Sequence, residues 1–173
     1  MRPATVLALG LCASATLGAQ VSGTYVPREE PLPGPEVRQP IAFSHRAHAE
    51  KAGLDCLACH DGATKQDTAT LPQAATCLAC HTAILPDSPE VAKLRAAPDG
   101  RIAWARVYAL PHYVFFGHRE HLVKGVTCAE CHGSVETRDA LRKEVSTGMN
   151  ACLACHRRTQ APVDCAACHT LGH

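Results

Sequence analysis

The sequence predicts a mostly irregular fold with short α-helices and little β, closed around a filling that the polypeptide does not itself supply. Three observations predict it. Aromatic residues are only 4% of the 173-residue chain, namely three Phe, three Tyr and one Trp. That is too little large apolar side chain to fill a core of this size at interior density. Ten of the 11 cysteines form five Cys-x-x-Cys pairs: Cys56 and Cys59, Cys77 and Cys80, Cys128 and Cys131, Cys152 and Cys155, Cys165 and Cys168. A histidine follows each pair directly: His60, His81, His132, His156 and His169. With histidine at 11 of 173 positions, five chance hits multiply to about one in a million.

Cys-x-x-Cys-His is the attachment signature of c-type haem, with two thiols to form thioethers to the porphyrin and a histidine to ligate the iron. Two other uses of the cysteines compete. Zinc ribbons pair Cys-x-x-Cys knuckles at separations such as that from Cys59 to Cys77 or from Cys131 to Cys152. A four-cysteine zinc site needs no histidine after each knuckle, however, and five knuckles leave one unpaired. A disulfide scaffold leaves the histidines unexplained as well. The expected cofactor is therefore five covalently bound haem c in a haem-packed core, without which the chain is not expected to fold.

The motifs are organised by a duplication. Phe116-Gly117-His118-Arg119-Glu120-His121 leads to the motif at Cys128, and Phe43-Ser44-His45-Arg46-Ala47-His48 leads to the motif at Cys56 with one extra residue between. Histidines three apart on a helix project from nearly the same face, which presents two imidazoles to two neighbouring irons. Residues 41–81 and 113–156 are thus two-haem modules with similar motif spacing, a repeat, and 165–169 is a fifth motif appended to them.

In chain order, residues 1–19 read as an export signal: Arg2, an apolar run from Val6 to Leu17, and small residues before Gln20. The run is short for a membrane span, and Cys12 lacks the small residue before it that a lipid anchor would favour. Residues 20–40 form a Pro-rich leader, a linker or a docking arm. Residues 41–173 form the haem domain. Between the modules, Ser88-Pro89-Glu90 begins a short helix with Ser88 as cap, Val91 and Leu94 facing inward, and Pro98-Asp99-Gly100 ending it. Residues 101–116 hold most of the aromatics, form the one plausible extended segment, and are expected to lie over haem faces. A second short helix is expected from Val135 to Val145.

The apo chain has a formal charge of +1, which points to no nucleic-acid or anionic-membrane partner. Haem propionates make the loaded protein more acidic and favour a positively charged redox partner. Arg46, Lys51, Arg119, Lys124, Arg157 and Arg158 would suit those propionates.

Further residues carry a resemblance. They are Gln39-Pro40-Ile41, Phe43 with His45 and His48, Pro72 ahead of Cys77, Ile102-x-Trp104-x-Arg106-Val107, Leu110-Pro111-x-Tyr113-Val114-x-Phe116, Gly125-Val126-x-Cys128, and Met149 ahead of Cys152. Across about residues 39–158 these blocks resemble the multihaem cytochrome c subunit of alternative complex III and of related quinol-oxidising complexes. The Phe-x-His-x-x-His element is shared with class III cytochromes c. Ala151 and His112 depart from the pattern. The resemblance implies a class III cytochrome c-like haem module in a periplasmic subunit, partnered by a membrane quinol-oxidising protein and an iron-sulfur protein or other cytochromes. It also implies that His45 serves the haem at Cys56 and His118 the haem at Cys128, while His48 and His121 serve two others. The fifth sixth ligand falls to Met149, which matches the family's methionine, to His173 or to His112.

The expected function is exported electron transfer rather than catalysis, since bis-histidine irons are saturated and no catalytic constellation emerges from the residues. A multihaem reductase with one substrate-accessible iron is the alternative, and self-association is left open.

Overall fold

The computed structural model describes residues 31–169; the expected signal, the start of the leader and His173 lie outside the described residues. Among the described residues seven short α-helices carry the regular structure: α1 (Gly62–Lys65), α2 (Ala74–His81), α3 (Pro89–Arg95), α4 (His118–Leu122), α5 (Cys128–His132), α6 (Met149–Thr159) and α7 (Cys165–Cys168). A π-helical segment (Arg46–Lys51) and 3₁₀ turns at Cys56–Ala58, Pro98–Gly100 and Val135–Thr137 complete the set. Among the described residues the only β pairing is two isolated antiparallel bridges, Glu36 with Arg142 and Val114 with His169. No helix among them is long and apolar enough to cross a membrane.

The apolar core is small. Ile41, Ala74, Val91, Leu94 and Ile102 are buried together, with Cys77, Leu78, Ala97 and Trp104 packed against them. α3 supplies Val91 and Leu94 one turn apart, as its inward face requires. The helix starts at Pro89 as expected, but the Ser88 side chain makes no capping bond; the first turn is tied instead by Glu90, whose carboxylate accepts from the Ala42 amide at 2.8 Å. The Trp104 indole donates to the Pro72 carbonyl at 2.7 Å, and Gln73 accepts from the Ile102 amide at 2.7 Å. These bonds fasten α2, and the second motif it carries, to residues 102–104.

Large apolar side chains lie exposed across the rest of the molecule, including Leu54, Leu57, Ile84, Leu85, Phe115 and Val123. A chain of this length that buries so little apolar surface against itself lacks the usual stabilising term.

The helix expected over residues 135–145 does not form. Only the 3₁₀ turn Val135–Thr137 appears, because the carbonyls beyond it are used elsewhere. Lys143 accepts from the Gly34 amide and Leu141 from the Val37 amide, both at 2.8 Å. The end of the leader thus runs along 141–143 as part of the fold. Residues 101–116 form no strand either; their one bridge joins Val114 to His169.

Candidate haem-binding sites

All five motifs lie on helical turns. Cys56–Ala58 is a 3₁₀ turn, Cys77 to His81 ends α2, Cys128–His132 is α5, Cys152 to His156 lies within α6, and Cys165–Cys168 is α7. A helical turn brings residues three and four apart onto one face, so both thiols and the histidine of a motif address the same side. α5 is held at its start by Glu130, whose carboxylate accepts from the Thr127 amide at 2.8 Å and from its hydroxyl at 3.2 Å. It ends at Gly133, whose φ of 72° suits glycine. None of the ten cysteines is in a disulfide.

Six of the imidazoles are oriented in one consistent way. His48 Nδ1 bonds the Ser44 carbonyl at 2.8 Å, His60 the Thr70 carbonyl at 2.7 Å, and His81 the Ile84 carbonyl at 2.8 Å. His118 bonds the Asp67 carbonyl at 3.1 Å, His121 the Gly117 carbonyl at 2.8 Å, and His156 the Pro162 carbonyl. A carbonyl can only accept, so each Nδ1 carries the proton and each Nε2 is left with a free lone pair. This is the outer-shell arrangement that fixes the tautomer and direction of a metal-ligating histidine.

The rings also face one another. His48 and His81 centroids are 6.0 Å apart, His121 and His156 6.1 Å, and His118 and His132 6.4 Å. Two opposed imidazoles bonded through Nε2 to one metal at about 2.0 Å would hold their centroids about 6 Å apart. His45 and His60 are electrostatic neighbours, and burial, with His60 and His48 nearby, pushes the His45 imidazole down to about 4. Burial, then His118 and His60, lowers His132 in the same direction. Both effects keep the imidazole neutral, which is the ligating form. One phenylalanine braces each histidine pair: Phe43 stands 4.8 Å from His45 and 4.4 Å from His48, Phe116 4.8 Å from His118 and 4.6 Å from His121.

His45 and His48 sit at the start of the π-helical segment, and His118 and His121 on α4, as their spacing suggests. A π-helical turn at a functional site is a recurrent arrangement. The aromatic run covers the sites only in part. Tyr108 meets His132 edge-on at 4.7 Å and Tyr113 lies 6.0 Å from His169, while Trp104 turns to the apolar core. Met149 begins α6 with its side chain 53% exposed. His112 is exposed and its ring contact is with Tyr113. Arg46, read as a propionate partner, is used within the protein: it donates to the Thr137 carbonyl at 2.7 and 2.9 Å and pairs with Asp139 at 3.3 Å.

These residues fit haem c better than they fit zinc. Burial pushes the Cys56, Cys59, Cys77, Cys131 and Cys152 thiols up, away from the thiolate that a zinc knuckle uses. Among the described residues no three His, Cys, Asp or Glu side chains converge on a point that could hold a metal ion. A haem asks the protein for two thiols and two imidazoles or similar donors, and three of the motif histidines, His81, His132 and His156, have a second imidazole about 6 Å away. The pairing of His48 with His81 and of His121 with His156 across motifs was not readable from spacing.

Comparison with known proteins agrees. Over 97 residues the chain is 37% identical to the multiheme cytochrome c subunit of a menaquinone reductase of Nitratidesulfovibrio vulgaris (strain Hildenborough), a match covering 54% of this chain and 45% of the relative. The chain thus spans about half the length of the curated relative it matches. The family model for cytochrome c7 and related cytochrome c matches residues 41–95 and 114–170, which take in all five motifs. The chain belongs to the family of cytochrome c7 and related cytochromes c.

Proposed function

We propose that the protein is an exported pentahaem electron carrier. Cys56 and Cys59, Cys77 and Cys80, Cys128 and Cys131, Cys152 and Cys155, and Cys165 and Cys168 would hold five haem c groups. His60, His81, His132, His156 and His169 would be the proximal ligands. The observation that carries this is the set of three imidazole pairs at 6.0–6.4 Å, His48 with His81, His118 with His132, and His121 with His156, in which every ring but His132 bonds a carbonyl through Nδ1. His45, whose imidazole feels His60 as an electrostatic neighbour, is the proposed partner of His60 in a fourth pair. The haem would supply one-electron redox chemistry at iron; the chain would hold it, favour the neutral imidazole at His45 and His132, aim the rings that bond a carbonyl through Nδ1, and leave four of the irons without a vacant position.

For the fifth site, Met149 is the proposed donor. Cys168 is an electrostatic neighbour of Cys152, and Met149 stands one helical turn before Cys152 on the same side of α6. A thioether ligand would raise that site's potential relative to the four bis-histidine sites.

The relative's menaquinone reductase supports a place beside a membrane quinol-oxidising complex, with an iron-sulfur protein or another cytochrome as partner. The signal at residues 1–19 supports a periplasmic location, where thioether attachment takes place. A substrate-accessible iron is the competing function. Mass spectrometry of the mature protein tests the haem count and is expected to show five adducts. Carbon monoxide binding to the reduced protein without denaturation would favour the reductase, and its absence the carrier.

A further inference from the structure

Two imidazoles that belong to different modules take their carbonyls from one loop. His60 Nδ1 donates to the Thr70 carbonyl at 2.7 Å. His118 donates twice to the Asp67 carbonyl, from Nδ1 at 3.1 Å and from its backbone amide at 3.3 Å. His60 ends the first motif. His118 lies on α4 and faces His132, which ends the third motif, at 6.4 Å. α1 packs on α4, and that contact carries residues 66–70, which follow α1, up to His118.

The loop is held because its far end is tied back to its start. The Thr70 hydroxyl donates to Asp61 Oδ1 at 3.1 Å and accepts from the Gly62 amide at 3.2 Å. Lys65 Nζ donates to the other Asp61 carboxylate oxygen at 2.6 Å, and the Gln66 amide donates to the Gly62 carbonyl at 2.9 Å. The fit at Gly62 is close: a Cβ there would stand 2.7 Å from Thr70 Cγ2 and 2.8 Å from the Thr70 amide nitrogen. Only glycine lets Thr70 approach α1 so nearly. His81 and His156, by contrast, take their carbonyls from Ile84 and Pro162, away from this loop.

We propose that residues 66–70 are a shared positioning loop for two haem sites, one in each module, and that Gly62 and Thr70 are the positioning residues that set it. This rests on the five-haem reading. A carbonyl that accepts from Nδ1 fixes the plane of the imidazole and makes its Nε2 a more basic donor. A more basic donor favours the ferric iron and lowers that site's potential. Because the Asp67 and Thr70 carbonyls lie on one short tied segment, a displacement of the segment weakens both bonds together. The sites at Cys56–Cys59 and Cys128–Cys131 then shift in the same direction.

The experiment is NMR of the fully reduced holoprotein with 15N-labelled histidine, each ring assigned through contacts to its haem, with a redox titration followed through the haem signals. Thr70→Val removes the hydroxyl and keeps the shape of the side chain. The Nδ1 protons of His60 and His118 are then expected to exchange with solvent about fivefold faster, as the loss of one neutral hydrogen bond implies. Those of His81 and His156 should keep their wild-type rates. The potentials of the haems at Cys56–Cys59 and Cys128–Cys131 should both rise. Thr70→Ser, which keeps the hydroxyl, should retain the wild-type values, and Gly62→Ala, whose Cβ pushes the loop away, should move the same two sites. A response at only one of the two rings, at all four rings alike, or at none overturns the inference. A holoprotein mass short of five haems overturns the proposed function on which it rests, whereas five haems with one ring responding overturns this inference alone.

Discussion

The imidazoles of His118 and His132 lie 8° from parallel with their centroids 6.4 Å apart, although one begins α4 and the other ends α5. His118 is held by the Asp67 carbonyl from the other module, and His132 is flanked by Tyr108.

If the pair shares an iron, His118→Ala vacates one position on that iron. The reduced variant is then expected to bind about one equivalent of carbon monoxide, the wild type none. An optical titration against the haem count checks it, and no gain in binding would break the pairing.

The Arg138 guanidinium grips Glu144 with two bonds, at 2.6 and 3.2 Å, and holds its carboxyl below the ordinary glutamate value. A carboxyl lowered in the folded state stabilises the fold above its unfolded value of about 4.3 and loses that contribution as pH falls through the folded value. Glu144→Gln is therefore expected to lower the melting temperature at neutral pH. The gap from the wild type should close on acidification below about pH 4. A gap that persists in acid would show that the loss was steric, not ionic.

What was legible in the sequence was the chemistry; what was not was the partnering. Cys-x-x-Cys-His announces itself because three residue types at fixed spacing have one common use. Phe43 and Phe116 were visible as part of a repeated element, and that element does brace both histidine pairs. The pairing of His48 with His81 and of His121 with His156 could not be read, since spacing fixes only which residues share a turn. The helix expected at 135–145 failed for a related reason: Leu141 and Lys143 give their carbonyls to a leader whose approach no local pattern encodes. Trp104 joins the apolar cluster to Phe43, the ring that braces His45 and His48, and Pro72 supplies the acceptor its indole needs.

Leu94 is 6% exposed in a cluster of five buried side chains, so little else compensates for its loss. Leu94→Ala is expected to cost about 2–3 kcal/mol, read as a fall in the denaturation midpoint of the holoprotein. The exposed Leu85→Ser change should move the midpoint by less than about 0.5 kcal/mol. A large loss from Leu85 would mean that this residue, not the apolar cluster, is where the haem domain gains its burial.

Met149 is the donor proposed for the fifth site, and Tyr113 is a ring packed against that site's proposed histidine. Tyr113 lies 6.0 Å from His169 at 35°. A phenol oxygen bonded trans to an imidazole would stand its ring centroid roughly 7 Å away, because the oxygen extends beyond the ring. A phenol flat over the porphyrin would be near-perpendicular to the imidazole plane. Neither fits, so Tyr113 packs beside His169, not opposite it. Met149→His is then expected to lower one haem potential by on the order of 0.1 V, since a methionine ligand raises the potential. Met149→Leu should open one iron to carbon monoxide, and Tyr113→Phe should leave both properties unchanged. A redox titration with a carbon monoxide assay reads all three variants. A response from Tyr113→Phe with none from either Met149 change would assign the position to the phenol.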